Sequence, residues 1–419
     1  MHASSRLKGD SRGSYRFRLR GYGAVATLAM ILACMAPSVA RAQATLYWDT
    51  NGSTYGAGST PTGTWSTSAS NKDWNSSILG TSTTAQWTDG SNAVFSAGTD
   101  ATGSFNVTVS GTVNANSLTV SMGAPTLTGG TINLSGSPAN VWVISGATGT
   151  INSVITGSNG LTKIGAGTLV LGNSANTYTG ATTISAGTLQ LATSNALPTG
   201  SAVSVSSGAT LNVNNQTQTI GSIAGAGAVT LGTGSLTAGG DNTSTSFGGT
   251  LSGTGTFTKT GTGTLSLTSN ISFGGTMVLS AGTLQLSGNT LTLGTLNITG
   301  NSVIDFAGSA AKLNVTNLFI QSGATLTITN WQDGVDYLYA SNWSGATYLA
   351  SGSNPMNQVA FSGFSSSNTK WLSWDNQISP VPEPATYGAI LLTATLLGAW
   401  WFRARARSVR QVPTELSRH

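Results

Sequence analysis

The chain has 419 residues, of which only 7% are charged and 55 are glycine. Its formal charge of +5 sits at the ends: residues 1–20 hold six Lys or Arg, Arg41 follows, and 403–419 hold five Arg, whereas residues 43–402 set five lysines against ten acids, a net −5. A nucleic-acid partner therefore meets no basic surface. With Cys34 the sole cysteine and His2 and His419 the sole histidines, disulfides, thiolate or imidazole metal sites and histidine catalysis are excluded from the body.

Taken from the start, residues 1–20 are basic and polar, 21–40 are largely apolar, and Ala40-Arg41-Ala42 has small residues at the spacing of a cleavage site. This three-part pattern predicts a signal peptide over 1–42, cut after Ala42, with Ala44 as a second option. Residues 43–104 follow as a tryptophan-rich segment with Trp48, Trp65, Trp74, Trp87 and Phe95. One reading is a cap over the first turn of a repetitive fold. The other is a glycan-binding surface in which Trp65 and Trp74 offer flat faces to sugar rings.

Residues 105–330 are repetitive. GLTKIGAGTLVLGNSANTYTGATTISAGTLQL at 160–191 aligns with GTFTKTGTGTLSLTSNISFGGTMVLSAGTLQL at 255–286, with Lys163 matching Lys259, Phe273 in the place of Tyr178, and SAGTLQL identical at 185–191 and 280–286. Leucines at 169, 189, 211, 231 and 251 mark a spacing of 20 to 22 residues, a solenoid period. In GTLQL, Leu189 and Leu191 point to one face and Gln190 to the other, and the glycine supplies a corner of positive φ. One such rung cannot bury its leucines, whereas stacked rungs bury a continuous column. The expected fold is all-β: a right-handed parallel β-helix of ~11 rungs, ~50 Å long, with a stacked antiparallel architecture as the alternative. The equivalence of Lys163 and Lys259 suggests a structural or solubility role on the outer edge. The K-x-G-x-G-T-L, Y-x-G and S-A-G-T-L elements resemble the autotransporter-associated β-strand repeat, which implies a β-helical, passenger-like stalk. The resemblance does not imply self-transport, because only ~50 residues separate the repeats from the terminal apolar run, too few for a barrel of eight strands.

Residues 331–380, with Trp331, Trp343, Trp371, Trp374, Tyr337 and Tyr339, read as a C-terminal cap or linker, with Trp343 a glycan contact in the alternative. Then Val381-Pro382-Glu383-Pro384 precedes an apolar run from Tyr387 to Phe402 and the cluster Arg403, Arg405 and Arg407. That order predicts an extended, accessible motif, a transmembrane helix over 385–402 and membrane-stop arginines on the cytoplasmic side. Residues 381–407 resemble the PEP-CTERM sorting signal, which implies cutting by an exosortase near Pro382-Glu383-Pro384 in a host that makes exopolysaccharide. The tail 408–419 is longer than that family usually shows.

No residues present a catalytic, metal or cofactor site. Asp333 and Asp336 flank Gly334 and read as a solvated turn, Gly239-Gly240-Asp241 resembles one calcium-binding nonapeptide unit but occurs once, and the Gly-x-Gly strings have no P-loop lysine. The sequence thus predicts a non-enzymatic structural or adhesive protein, transiently anchored in the inner membrane and delivered to the cell surface or matrix, with exosortase as processing partner and exopolysaccharide as a binding candidate. The alternatives are a carbohydrate-binding adhesin and a polysaccharide lyase or hydrolase, the last tested at Asp305 and Lys312.

Overall fold

The computed structural model describes residues 43–308, 310–345, 356, 358–364, 369–372 and 375–380. The expected cleavage site at Ala40 and Ala42, the sorting motif Val381 to Pro384, the apolar run 387–402 and Arg403, Arg405 and Arg407 lie outside these residues, as does Trp374.

The described chain is a parallel β-solenoid of about 12 turns, and none of its residues is helical. One column of strands runs Ser91–Phe95, the end of Ser104–Val120, Asn140–Val143, Leu161–Ile164, Thr182–Ile184 and Ala202–Val205, each paired parallel with the next. It continues to Ser302–Asp305, Leu326–Thr329 and Val359–Phe361. A second column contains Thr168–Leu171, Thr188–Leu191 and Thr210–Asn212. A third ends in Thr290–Ile298, Lys312–Ile320 and Tyr337–Gly345. This pairing selects the parallel architecture over the antiparallel alternative. The parallel ladders also run past 105–330 at both ends, from Thr45–Trp48 on Ser91–Phe95 to Val359–Phe361.

Alternation decides what is inside. Thr188–Leu191 buries Leu189 and Leu191 while Thr188 and Gln190 stay half-exposed, and Leu169, Leu189 and Leu211 stack in register. The next members of that column are Val229 and Leu251. Leu231, which the leucine spacing placed there, is buried two residues further on. The turn before Ala228–Thr230 is shorter, so the valine takes the inward position. Gly187 has φ +65, and a β-carbon there would overlap the carbonyl oxygens of Gly167 and Gly165 in the rung below. The corner therefore demands glycine both for its φ and for the close approach of backbones.

The repeat lysines are inside, not on the outer edge. Lys163 and Lys259 are 0% and 4% exposed. The Lys163 amine donates to the carbonyls of Ile164 (3.1 Å), Gly165 (2.7 Å) and, one rung on, Ala186 (3.1 Å). Lys259 repeats the pattern with Thr260 (2.6 Å), Gly261 (3.0 Å) and Ala281 (3.4 Å). A corner carbonyl turned inward has no strand partner, and an ammonium with three donors can serve several at once. The lysine is thus a clasp joining successive corners, and solubility is not its role.

Both ends break the parallel rule. Trp74–Asn75 pairs antiparallel with Thr45–Trp48. At the other end, Gln377–Pro380 pairs antiparallel with Thr369–Leu372 and touches Tyr337–Gly345 through Tyr339 and Gln377.

Candidate functional site

Among the described residues the apolar interior is closely packed. Its voids are about 10 and 20 Å³, the larger lined by Ile223, Phe247, Leu251 and Met277 among others, which is at most one water's worth of space. Any recognition by the described residues occurs on the outer faces.

The N-terminal tryptophans are not on those faces. Trp48, Trp65, Trp74 and Trp87 are each 2% exposed or less. Trp65 lies 5.2 Å from Trp74 and 5.0 Å from Trp87 between ring centroids, with Phe95 at 5.6 Å. Trp48 is tied to the Pro61 carbonyl (2.6 Å) and Trp87 to Asp89 (3.0 Å). The glycan-contact reading of Trp65 and Trp74 is therefore corrected: their faces pack on one another. The cause is alternation, since Trp65 ends the strand Gly63–Trp65 with its ring inward over Ser104–Val120. Nearby, Asp49 accepts from the Asn51 backbone N–H and the Asn75 amide. Burial pushes its carboxyl above the usual range, against those two hydrogen bonds.

Trp343, the third such residue, lies in Tyr337–Gly345 in register with core-facing Leu318. It is half-buried and packs against the core together with Trp331 and Trp371. Trp331 meets Phe306 and Phe361 edge-on at 5.2 and 4.9 Å, and the Trp371 indole donates to the Ala340 carbonyl (2.9 Å). These rings pack against the hydrophobic column near its last described rungs.

The outer surface of the last rungs carries other aromatics. Tyr337 and Tyr339 stack at 5.7 Å with planes 4° apart, and the Lys312 amine lies 5.5 Å from the Tyr337 ring centre. Asn314 is in register with Tyr339, and the Asn342 amide donates to Asn317 (3.3 Å). Phe319 is 44% exposed further along the neighbouring strand, beyond a break in its alternation. This surface combines flat rings, amides and one cation, groups suited to non-covalent recognition. Sequence reasoning passed over Phe319, although the pair Leu318 and Ile320, both inward, already assigns it outward.

Three of the acids singled out in the sequence, Asp241, Asp305 and Asp336, are engaged in local structure. Asp336 is fully buried and accepts from the backbone N–H groups of Ala311 (2.9 Å) and Gln332 (2.8 Å). The solvated turn expected at 333–336 therefore holds only for Asp333, which is exposed. Asp241 is exposed and accepts from the Thr243 N–H, an ordinary Asx turn. Asp305 belongs to a surface ladder in which Gln285 and Asn330 donate to its two oxygens at 2.9 and 2.7 Å. Burial raises its pKa, but the donors from Asn330, Gln285, Ala307 and Thr329 outweigh that and hold it below the usual range. Lys312 stands in a different column, so the two residues named for lyase chemistry are not brought together. Among the described residues no group of three His, Cys, Asp or Glu could hold a metal.

Comparison with known proteins agrees with the repeat. The passenger-associated-transport-repeat model matches residues 161–191 and 257–286, the two segments that carry the lysine clasps. The chain is also 34% identical over 320 residues to the adhesin BmaC autotransporter of Brucella suis biovar 1 (strain 1330), an alignment covering 74% of this chain and 9% of that protein. The chain thus spans under a tenth of that relative's length. No solved structure matches.

Proposed function

We propose that this chain is an exported, non-enzymatic surface protein whose solenoid serves as an adhesive scaffold. The observation that carries the reading is the long parallel ladder with its functional groups on the outer faces, together with the likeness to an adhesin autotransporter. The antiparallel pairings at the ends, with the tryptophans packed beneath them, act as caps that keep the ladder from adding further chains. Residues 1–42 direct export. Residues 387–402 hold the chain in the inner membrane until an exosortase cuts near Pro382-Glu383-Pro384 and frees it to the cell surface or matrix, among exopolysaccharide.

The intact mass of protein recovered from the cell surface tests this. The expected mass lacks both 1–42 and the segment beyond the sorting motif, and replacing Pro382, Glu383 and Pro384 by alanine leaves the chain in the inner membrane. A surface form still carrying 387–402 overturns the processing step. The carbohydrate-binding version of the reading is favoured by the stacked pair Tyr337 and Tyr339 on the outer surface. Turnover of a uronate polymer that is lost in Asp305→Ala or Lys312→Ala overturns the non-enzymatic reading.

A further inference from the structure

Register places particular side chains side by side on the outer face of the third column. Lys312 is in register with Tyr337, and Asn314 with Tyr339. The chain then turns back on this sheet. Tyr339 pairs with Gln377, and in the closing hairpin Gln377 pairs with Leu372 and Ser379 with Lys370. Residues directly opposite one another share a face, as do residues two apart on one strand. One row across the strands therefore runs Lys312, Tyr337, Ser379, Lys370, and beside it run Asn314, Tyr339 and Gln377. The closing hairpin is more than a cap, because it brings Lys370 onto the face of the tyrosines.

The charges on this face are unusual for the chain. Residues 43–402 contain five lysines and no arginine. Lys163 and Lys259 turn their amines inward, which leaves Lys72, Lys312 and Lys370 exposed. Two of these three lie in the one row, on either side of Tyr337. Three strand intervals of ~4.8 Å put their positions ~14 Å apart, a span wider than one sugar ring. The Lys312 amine lies 5.5 Å from the Tyr337 ring centre, and that ring is parallel to Tyr339 within 4°, so rings and cation are presented together. The acids of this end do not cancel the lysines from within the row. Asp336 faces inward onto two backbone N–H groups, and Asp333 and Asp375 stand in turns outside the strands.

We propose that this face binds an acidic polysaccharide, with carboxylates of the polymer on Lys312 and Lys370 and its sugar rings against Tyr337 and Tyr339. A sugar acid carries in one unit a flat C–H face, a rim of hydroxyls and a negative charge. The tyrosines suit the first, Asn314 and Gln377 the second, and the lysines the third. A neutral glycan would use the rings and leave both cations without partners. An acidic peptide would use the cations and leave the stacked rings without a flat partner. The spacing of the lysines asks for a polymer rather than a single sugar. This inference rests on the carbohydrate-binding reading above and narrows it to one ligand class.

Amine acetylation of the full chain, read residue by residue by peptide mass spectrometry, tests it without interference from the basic ends. Lys163 and Lys259 are buried and stay unmodified in a folded chain, so they report on folding in every sample. Polygalacturonate is expected to slow modification of Lys312 and Lys370 about fivefold, the scale of a favourable exposed ion pair, and to leave Lys72 unchanged. Dextran leaves all three unchanged, and Tyr339→Ala reduces the protection of both lysines while Lys163 stays unmodified. The proposal is overturned if polygalacturonate shields neither lysine, if it shields Lys72 equally, or if Tyr339→Ala is protected as well as the native chain. Equal protection by polyglutamate overturns it too and assigns the face to an acidic peptide. Equal protection by dextran overturns the acidic assignment but leaves the carbohydrate-binding reading standing, whereas protection by neither glycan removes both from this face.

Discussion

At the scale of single residues, the lysine clasp is the feature with the sharpest consequences. Replacing Lys163 by methionine keeps the aliphatic stem but deprives the Ile164, Gly165 and Ala186 carbonyls of their donor. A cost of about 1–3 kcal/mol is expected from orphaned buried acceptors, read as a lower urea midpoint with unchanged slope. The amine also carries a pH signature. Burial pushes the Lys163 amine down to about 8 from its ordinary 10.5. Between these values the unfolded chain holds a proton that the folded chain has shed, so stability rises as pH climbs through the window and is flat on either side. Lys259 acts in the same direction, again through burial, with Asp241 opposing it. Melting temperature measured from pH 7.5 to 10.5 should therefore rise in the native chain relative to Lys163→Met. A constant difference across that range would show that the amine is not depressed.

At the scale of the element, corner and strand make separate demands. Gly187 and Gly208 both have positive φ, +65 and +79, but a β-carbon on Gly187 would meet backbone oxygens whereas one on Gly208 meets nothing within 4 Å. Gly208→Ala should cost only the backbone strain, about 1–2 kcal/mol, while Gly187→Ala forces two rungs apart and should cost clearly more by chemical denaturation. This contrast also marks how far the sequence could be read. The S-A-G-T-L-Q-L pattern announced strand, corner and period, because alternation and glycine are local signals. It did not reveal that Leu211 stacks on Val229 rather than on Leu231, because register depends on the length of each intervening turn. Nor did it reveal that a lysine could be interior, because its partners are carbonyls, which every residue type carries equally. The Trp65 and Trp74 error has the same root: an aromatic in a polar segment can be surface or core, and only the pairing of Gly63–Trp65 with Ser104–Val120 settles which. The outward place of Trp142, 49% exposed, was by contrast legible in principle, since Val141 and Val143 on either side are inward.

At the scale of the whole molecule, the fold behaves as a stack in which each turn meets only its neighbours. The register makes this testable by surgery. Thr168 to Leu171 pair residue for residue with Thr188 to Leu191, so deleting 168–187 joins Gly167 to Thr188 and removes one turn without shifting any later strand to its other face. The shortened chain should keep its β-sheet circular dichroism and a cooperative melt, with a modest loss of stability, because one interface between neighbouring turns disappears while the rest are conserved. Deleting only 168–177 removes half a turn, leaves the 182–184 strand without a matching approach from the rung below, and exposes leucines that the column otherwise buries. That chain should aggregate or lose its cooperative transition. If both deletions melted alike, stability would not be organised turn by turn, and the parallel ladder would not be the unit that holds the protein together.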